Sequence, residues 1–133
     1  NSTTVCASNV SEADWASKST TTTTVTIPRG RTVASRIKTS ADPSMYGGFH
    51  FQTPVGGTTP TTNVWVSYVP NGPAISDHCS RGPAGFVYSF KWTQKPYKRS
   101  CFMEPNKVYY LNMKHVDVNA PASKIIRDIT ATN

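Results

Sequence analysis

Apolar and polar side chains alternate along several short stretches of this chain, and that period predicts β-strands. The clearest run covers residues 86–93. On simple alternation its large aromatic residues share one face of a strand and point to the core: Phe86, Tyr88, Phe90 and Trp92.

Shorter or weaker runs predict the other strands. They cover residues 19–27, 31–38, 49–51, 64–69, 101–103 and 108–117, and a last strand would lie near Ile125. The turn signal at residues 28–30 favours a hairpin between the first two of these strands. The run 64–69 has apolar residues on both faces, so we expect that strand to lie in the interior of its sheet.

The same alternation predicts which side chains face the core. The inward sets are Val33 with Ile37, Phe49 with Phe51, and Tyr109 with Leu111 and Met113. Gly47-Gly48 indicates a bend or bulge, residues 70–73 form a strong turn signal, and the segment from there to Gly85 has no clear period.

Length and element count together define the fold class. The chain has 133 residues, which favours a single domain with one modest core. Six to eight short strands separated by turns predict an all-β fold, an antiparallel β-sandwich with jelly-roll or Greek-key connections; a small closed barrel is the alternative.

We expect residues 1–18 to form a polar N-terminal arm and residues 19–133 to form the sandwich domain. No apolar run approaches the length of a membrane-spanning helix.

Net charge and composition indicate which class of partner the chain binds and in which compartment it works. The formal net charge is +7, and the 18 Thr and 14 Ser make up about a quarter of the chain. A basic surface attracts polyanions through long-range forces. A chain rich in Thr, Ser, Asn and Pro with few cysteines is typical of secreted, extracellular or periplasmic proteins, in which a disulfide persists.

The three cysteines, Cys6, Cys79 and Cys101, do not have the spacing of a zinc site. Of the three possible pairings we favour a disulfide between Cys79 and Cys101, because a single strand flanked by turns lies between them. Cys6 would then be left over. The alternative is three reduced, buried thiols.

Residues 101–113, with the sequence CFMEPNKVYYLNM, resemble a closing element of secreted bacterial β-sandwich domains, including pre-peptidase C-terminal-type domains. In those domains a cysteine-bearing strand, a turn containing Pro, and a Tyr-Tyr-Leu-Asn strand follow in order. The resemblance covers 13 of the 133 residues and implies a noncatalytic accessory or surface-binding domain. The carboxylate-rich calcium loops of some such domains are not evident in this sequence.

The segment 91–99 combines basic and aromatic residues, and no acidic residue lies between Asp77 and Glu104. Basic groups bind sulfate, carboxylate or phosphate, and an aromatic face stacks on a sugar or a base. Because Trp92 is expected in the core, the candidate ligand-binding residues are those of the turn: Lys95, Tyr97, Lys98 and Arg99. The alternative is a solvated hairpin rim.

A second candidate is the strand 64–69, because on alternation either Trp65 or Tyr68 must leave the core face. Trp65 would then form a binding platform or pack beneath the loop 53–62. The three histidines share no ligand spacing, so neither a metal nor a cofactor is predicted.

Enzymatic function is not expected. Asp77-His78-Cys79 suggests a nucleophilic pair, but adjacent residues of an extended strand point to opposite faces. The common hydrolase, metalloprotease and phosphate-loop motifs do not occur, and the seven acidic residues form no obvious pair for glycoside hydrolysis.

These observations favour a secreted, noncatalytic domain that binds surface glycans or another anionic cell-surface component. A structural subunit of a pilus, phage tail or capsid, associating through β-edges as a homo-oligomer, is the alternative. Nucleic-acid binding ranks third, because no motif that recognises RNA or DNA is present.

Overall fold

The structure is a computed structural model and describes residues 4–6, 23–27, 32–39, 41–44, 46–52, 61–84, 87–96, 99–115 and 122–127. These residues form ten strands and one short 3-10 helix at Asp77–Cys79. The strands are β1 (Thr4–Cys6), β2 (Thr23–Ile27), β3 (Thr32–Lys38), β4 (Tyr46–Gln52), β5 (Thr62–Ser67), β6 (Ser80–Ala84), β7 (Val87–Thr93), β8 (Cys101–Phe102), β9 (Val108–His115) and β10 (Ala122–Arg127). No helix in these ranges is long and apolar enough to cross a membrane.

The strands form two five-stranded sheets, in the orders β1-β3-β9-β5-β6 and β2-β10-β4-β7-β8. Pairing is antiparallel except for β1 with β3 and β7 with β8, which are parallel. The predicted all-β sandwich is therefore confirmed, and β5 lies in the interior of its sheet as expected. The strands that the pattern did not predict are β1 and β6.

The predicted hairpin between the first two strand runs is wrong. β2 pairs with β10 in the second sheet, whereas β3 pairs with β1 and β9 in the first. Crossing from one sheet to the other lets both strands contribute to a common core, and alternation within one strand does not specify its neighbour.

Residues from both sheets form one core. Phe49 and Phe51 of β4 are fully buried, as are Val66 of β5 and Met113 of β9. The predicted inward faces are confirmed for β3, β4 and β9, and Trp92 is buried as expected. Sheet-on-sheet packing of this kind buries the apolar face of each strand and leaves the polar face outside.

Two local predictions are corrected by the strand pairing. Gly47 and Gly48 continue a regular ladder, opposite Trp92 and Lys91, so they form no bulge. The irregular segment before Gly85 includes β6, which pairs with β5 across a register shift between Thr62 and Val64. Gly82 has a φ of 121° there, and this left-handed backbone interrupts the period-two pattern.

The segments after β3, β5 and β7 lie at one end of the sandwich. β3 ends opposite the start of β9, and β7 ends opposite the start of β4. At this end Thr39 N donates to Lys107 O at 2.9 Å. Met103 N donates to Thr93 O at 2.8 Å, which joins the β8–β9 connection to the end of β7. The described residues of the predicted basic turn, Lys95, Pro96 and Arg99, belong to this loop end.

Candidate functional site

A shallow pocket of about 320 Å³ opens at the loop end of the second sheet. It lies where β4 begins and β7 ends, next to the start of the basic turn. The residues that line it are Tyr46, Gly47, Lys91, Trp92, Thr93, Lys95, Pro96 and Ser100.

Strand alternation explains which side chains surround this pocket. Phe49 and Trp92 are buried in the core, so Lys91 and Tyr46 emerge on the outer face of the sheet. Gly48 lies opposite Lys91 in the ladder, and it adds no side chain to the space beside the lysine. The outer face is therefore open next to Lys91.

The pocket combines an exposed aromatic ring with basic groups. The Tyr46 side chain is 43% exposed, and Lys91 and Lys95 are exposed. The ion pair between Lys107 and Glu104, at 3.1 Å, involves neither of these lysines. Two ammonium groups beside a phenol ring can bind anionic groups of a ligand whose apolar face lies on the ring.

Hydrogen bonds fix the conformation of the first residues of the basic turn. The Thr93 hydroxyl donates to Lys95 O and accepts from Lys95 N, both at 3.1 Å. The buried Gln94 side chain donates from Nε2 to Asp42 O at 2.7 Å, which joins the turn to the segment before β4. The backbone of Lys95 is therefore fixed by the Thr93 hydroxyl.

A disulfide joins Cys79 and Cys101, so the favoured pairing is confirmed. The Cα atoms are 4.5 Å apart, and both cysteines are fully buried. The bridge ties the 3-10 helix to β8, directly after the basic turn. Cys79 has no free thiol, so the imagined Cys-His nucleophilic pair cannot form. The side chain of Cys6 lies outside the described residues.

The predicted ligand-binding turn is described in part. Lys95 lines the pocket, and Arg99 is exposed in the same turn. Tyr97 and Lys98 lie outside the described residues. Sequence reasoning did not select Lys91 and Tyr46 as site residues. Alternation had placed Lys91 on the outer face, but the approach of Tyr46 depends on the register of β4 with β7.

The two aromatic residues of the second candidate lie away from this pocket. Trp65 is half-buried, and its indole Nε1 donates to Gly72 O at 2.7 Å, so it packs against the turn that follows β5. The other alternative named for Trp65, the loop 53–62, lies almost wholly outside the described residues. Trp65 lines a different groove, which shares no residue with the pocket.

Tyr68 belongs to a cluster at the loop end of the first sheet. It is 52% exposed, and its ring centroid lies 5.7 Å from that of the buried Tyr109. Lys107 Nζ lies 4.8 Å from the Tyr68 ring centroid and 3.1 Å from Glu104 Oε2. The hydrogen bond to Glu104 raises the pKa of Lys107, and burial raises the pKa of Tyr109 although Glu104 N donates to its hydroxyl.

The histidines in the described ranges do not converge with acidic residues or cysteines on a metal-binding group. His115 is buried, and its Nδ1 lies 2.9 Å from Thr62 Oγ1. That contact joins β5 and β9, two neighbouring strands of the first sheet, so His115 has a structural role in the sheet.

No protein-family model matches this sequence, and a comparison with curated proteins finds no match. Among solved structures, the chain is similar to the pre-peptidase C-terminal domain of a collagenase from Bacillus anthracis. The two are 9% identical, the alignment covers 95% of this chain and 92% of that chain, and the TM-score is 0.44.

Proposed function

We propose that this chain is a noncatalytic, secreted domain that binds an anionic glycan of a cell surface. The pocket formed by Tyr46, Lys91 and Lys95 carries the proposal. Sulfate or carboxylate groups would pair with the ammonium groups, and the apolar face of a sugar would lie on the tyrosine ring.

Two further observations support the proposal. The disulfide between Cys79 and Cys101 is typical of proteins that work in an oxidising compartment. The net charge of +7 steers a polyanion toward the molecule before specific contacts form. Charge of this kind raises the association rate, and the pocket supplies the selection among anions.

A heparin column tests the role of the pocket at matched charge. We expect the double variant Lys91→Gln/Lys95→Gln to elute at a clearly lower salt concentration than wild type. The control Lys38→Gln/Lys114→Gln loses the same two charges from the first sheet and should elute much closer to wild type. Equal elution of the two variants would show that retention reflects net charge alone, and the pocket would be discarded as the site.

A glycan array with Tyr46→Ala tests the aromatic contact without changing charge. The variant should bind the same glycans as wild type with about fivefold lower affinity, because loss of a stacked ring costs about 1 kcal/mol. Binding to neither the array nor heparin by the wild-type protein would overturn the proposed function.

A second function, assembly through β-edges, is favoured by one feature of the second sheet. β2 lies at an edge, and its five residues Thr23–Ile27 carry no charge. Edge strands without charge or proline are open to pairing with another chain. The other described edges are shorter or interrupted, because β1 has three residues, β8 has two and β6 contains Pro83.

Light scattering coupled to size exclusion under nonreducing conditions tests this alternative. Assembly through β2 predicts a dimer or larger species that Thr24→Lys converts to monomer, since a charge on the edge opposes pairing. A monomer at all concentrations would exclude association of this chain with itself.

A further inference from the structure

A second groove, of about 690 Å³, lies on the first sheet between the turn after β5 and the edge strand β6. The residues that line it are Asn63, Val64, Trp65, Gly72, Pro73, Ala74, Ser80, Arg81 and Gly82. It shares none of them with the pocket of the second sheet. Its volume falls in the range of small-molecule sites.

The wall formed by the turn after β5 is held by hydrogen bonds. Asn71 N donates to the buried Asn112 Oδ1 at 2.8 Å, and Gly72 N donates to Val69 O at 3.0 Å. The Trp65 indole then donates to Gly72 O at 2.7 Å, which fixes the ring against this wall. The groove is therefore formed before any ligand arrives, and binding loses little ordering entropy.

Gly82 shapes the opposite wall. A Cβ at this position would lie 2.5 Å from Thr62 O and 2.8 Å from Asn63 Oδ1, and the φ of 121° disfavours any other residue. Glycine lets β6 approach β5 closely while the chain continues at the edge of the sheet. Ser80 lies opposite Trp65 in the ladder and shares its outer face, whereas Arg81 lies opposite the buried Val64, and its long side chain reaches the groove around the edge of the sheet.

The groove brings together the groups that recognise an acidic sugar. Trp65 supplies a half-buried ring, Asn63 an amide, and Ser80 a hydroxyl. Arg81 is exposed, and it takes no part in the ion pair between Lys107 and Glu104. A guanidinium binds a carboxylate with two parallel hydrogen bonds, whereas the ring of a sugar packs on an indole.

We propose that this groove is a second binding site, which takes a sugar residue that carries a carboxylate. The carboxylate pairs with Arg81, the sugar ring lies against Trp65, and its hydroxyls bond with Asn63 and Ser80. The proposal rests on the proposed function in its choice of a sugar, but the site and its residues are independent of Lys91 and Lys95.

A ¹H–¹⁵N NMR titration of the labelled chain tests the site directly, with the Trp65 indole N–H as reporter. The probes are sodium glucuronate, glucose, sodium acetate and inorganic phosphate. Glucuronate should shift the Trp65 signal in a saturable way at millimolar concentration. Glucuronate should bind about tenfold more tightly than glucose, because a hydrogen bond between charged groups adds enough binding free energy for about a tenfold gain in affinity. Acetate should bind more weakly than glucuronate as well, because it has no ring.

Matched variants identify the groups that recognise the ligand. Arg81→Gln should reduce glucuronate affinity to that of glucose, and Lys114→Gln, which removes the same charge from outside the groove, should leave it unchanged. Lys91→Gln/Lys95→Gln should retain the Trp65 shift even if heparin binding is lost, which separates the failure of one site from that of the other. An unchanged Trp65 signal, equal affinity for glucuronate and glucose, or tighter binding of phosphate would each overturn the proposal.

Discussion

Asn112 is a polar residue that lies fully buried in the middle of β9. Its Nδ2 donates to Ser67 Oγ at 2.8 Å and to Trp65 O at 3.2 Å, and its Oδ1 accepts from Asn71 N at 2.8 Å. An amide buried without such partners would destabilise the fold. With them, this single side chain attaches the turn after β5 to the outer face of the first sheet.

We expect Asn112→Ala to lower the free energy of unfolding by about 2–3 kcal/mol, because the buried Ser67 Oγ loses a donor and Asn71 N loses its acceptor. Urea unfolding followed by circular dichroism measures this loss. Ser89→Ala, at an exposed position of β7, is the control and should change stability by less than about 0.5 kcal/mol. Equal unfolding midpoints for the two variants would contradict this role of Asn112.

The raised pKa of Tyr109 predicts a loss of stability in alkali. Burial raises this pKa above the ordinary tyrosine value of 10.0, so the unfolded chain releases the phenolic proton first as the pH increases. The contribution is fully present below the unfolded pKa and is lost as the pH rises through the folded pKa. Lys107, whose pKa is also raised, acts in the same direction.

Tyr109→Phe should therefore be less stable than wild type near neutral pH, by about 1 kcal/mol for the lost acceptor of Glu104 N–H. Its stability should fall less than that of wild type between neutral pH and about pH 11. Urea midpoints across this range give the comparison. The control Tyr68→Phe changes the exposed neighbouring ring, and its urea midpoints should depend on pH as those of wild type do. If Tyr109→Phe also shows the wild-type pH dependence, the link between Tyr109 and alkaline stability is refuted.

At the scale of elements, the disulfide joins the 3-10 helix Asp77–Cys79 to the two-residue strand β8. Both elements are short, and β8 directly follows the basic turn. The covalent bond holds one end of that turn, which lowers the ordering entropy lost when the pocket binds a ligand.

Cys79→Ser/Cys101→Ser should lower the melting temperature and weaken heparin retention. The two cysteines are 22 residues apart, and closing a loop of that size stabilises by about 3 kcal/mol in the chain-entropy model. Thermal unfolding with and without reductant measures the effect, and Cys6→Ser should change neither property in the monomer. A crosslink of Cys6 to either partner, found by mass spectrometry of the nonreduced digest, would contradict the pairing.

At the scale of the whole molecule, one core joins the two sheets. Phe49 and Phe51 from the second sheet share it with Leu111 and Val66 from the first. Because each sheet buries its apolar face against the other, neither has a core of its own. The two sheets should therefore unfold together.

Phe51→Ala should destabilise the protein by about 3–5 kcal/mol, which is the usual cost of deleting a buried phenylalanine ring. Hydrogen exchange should accelerate in both sheets, with the amides of β9 affected as strongly as those of β7. Tyr46→Ala, a change of similar size at the surface of the same strand, is the control. Faster exchange confined to the second sheet would contradict a shared core.

Much of this fold could be predicted from local pattern. Alternation identified the inward residues of β3, β4 and β9, because a strand between a core and solvent must place its apolar groups on one side. The cysteine pairing also followed from short-range reasoning. For the candidate site, the pattern placed Lys91 on the outer face and Trp92 in the core. The absence of acidic residues between Asp77 and Glu104 indicated Lys95 as a candidate ligand-binding residue.

The tertiary structure decided the features that depend on distant residues. Tyr46 reaches the pocket through the register of β4 with β7, and Asn112 is buried because the turn after β5 covers it. The pairing of β2 with β10 and of β3 with β9 likewise joins residues far apart in sequence. Alternation records only which side of its own strand a residue occupies. The neighbour of each strand, and therefore the composition of each site, is set by how the two sheets bury the common core.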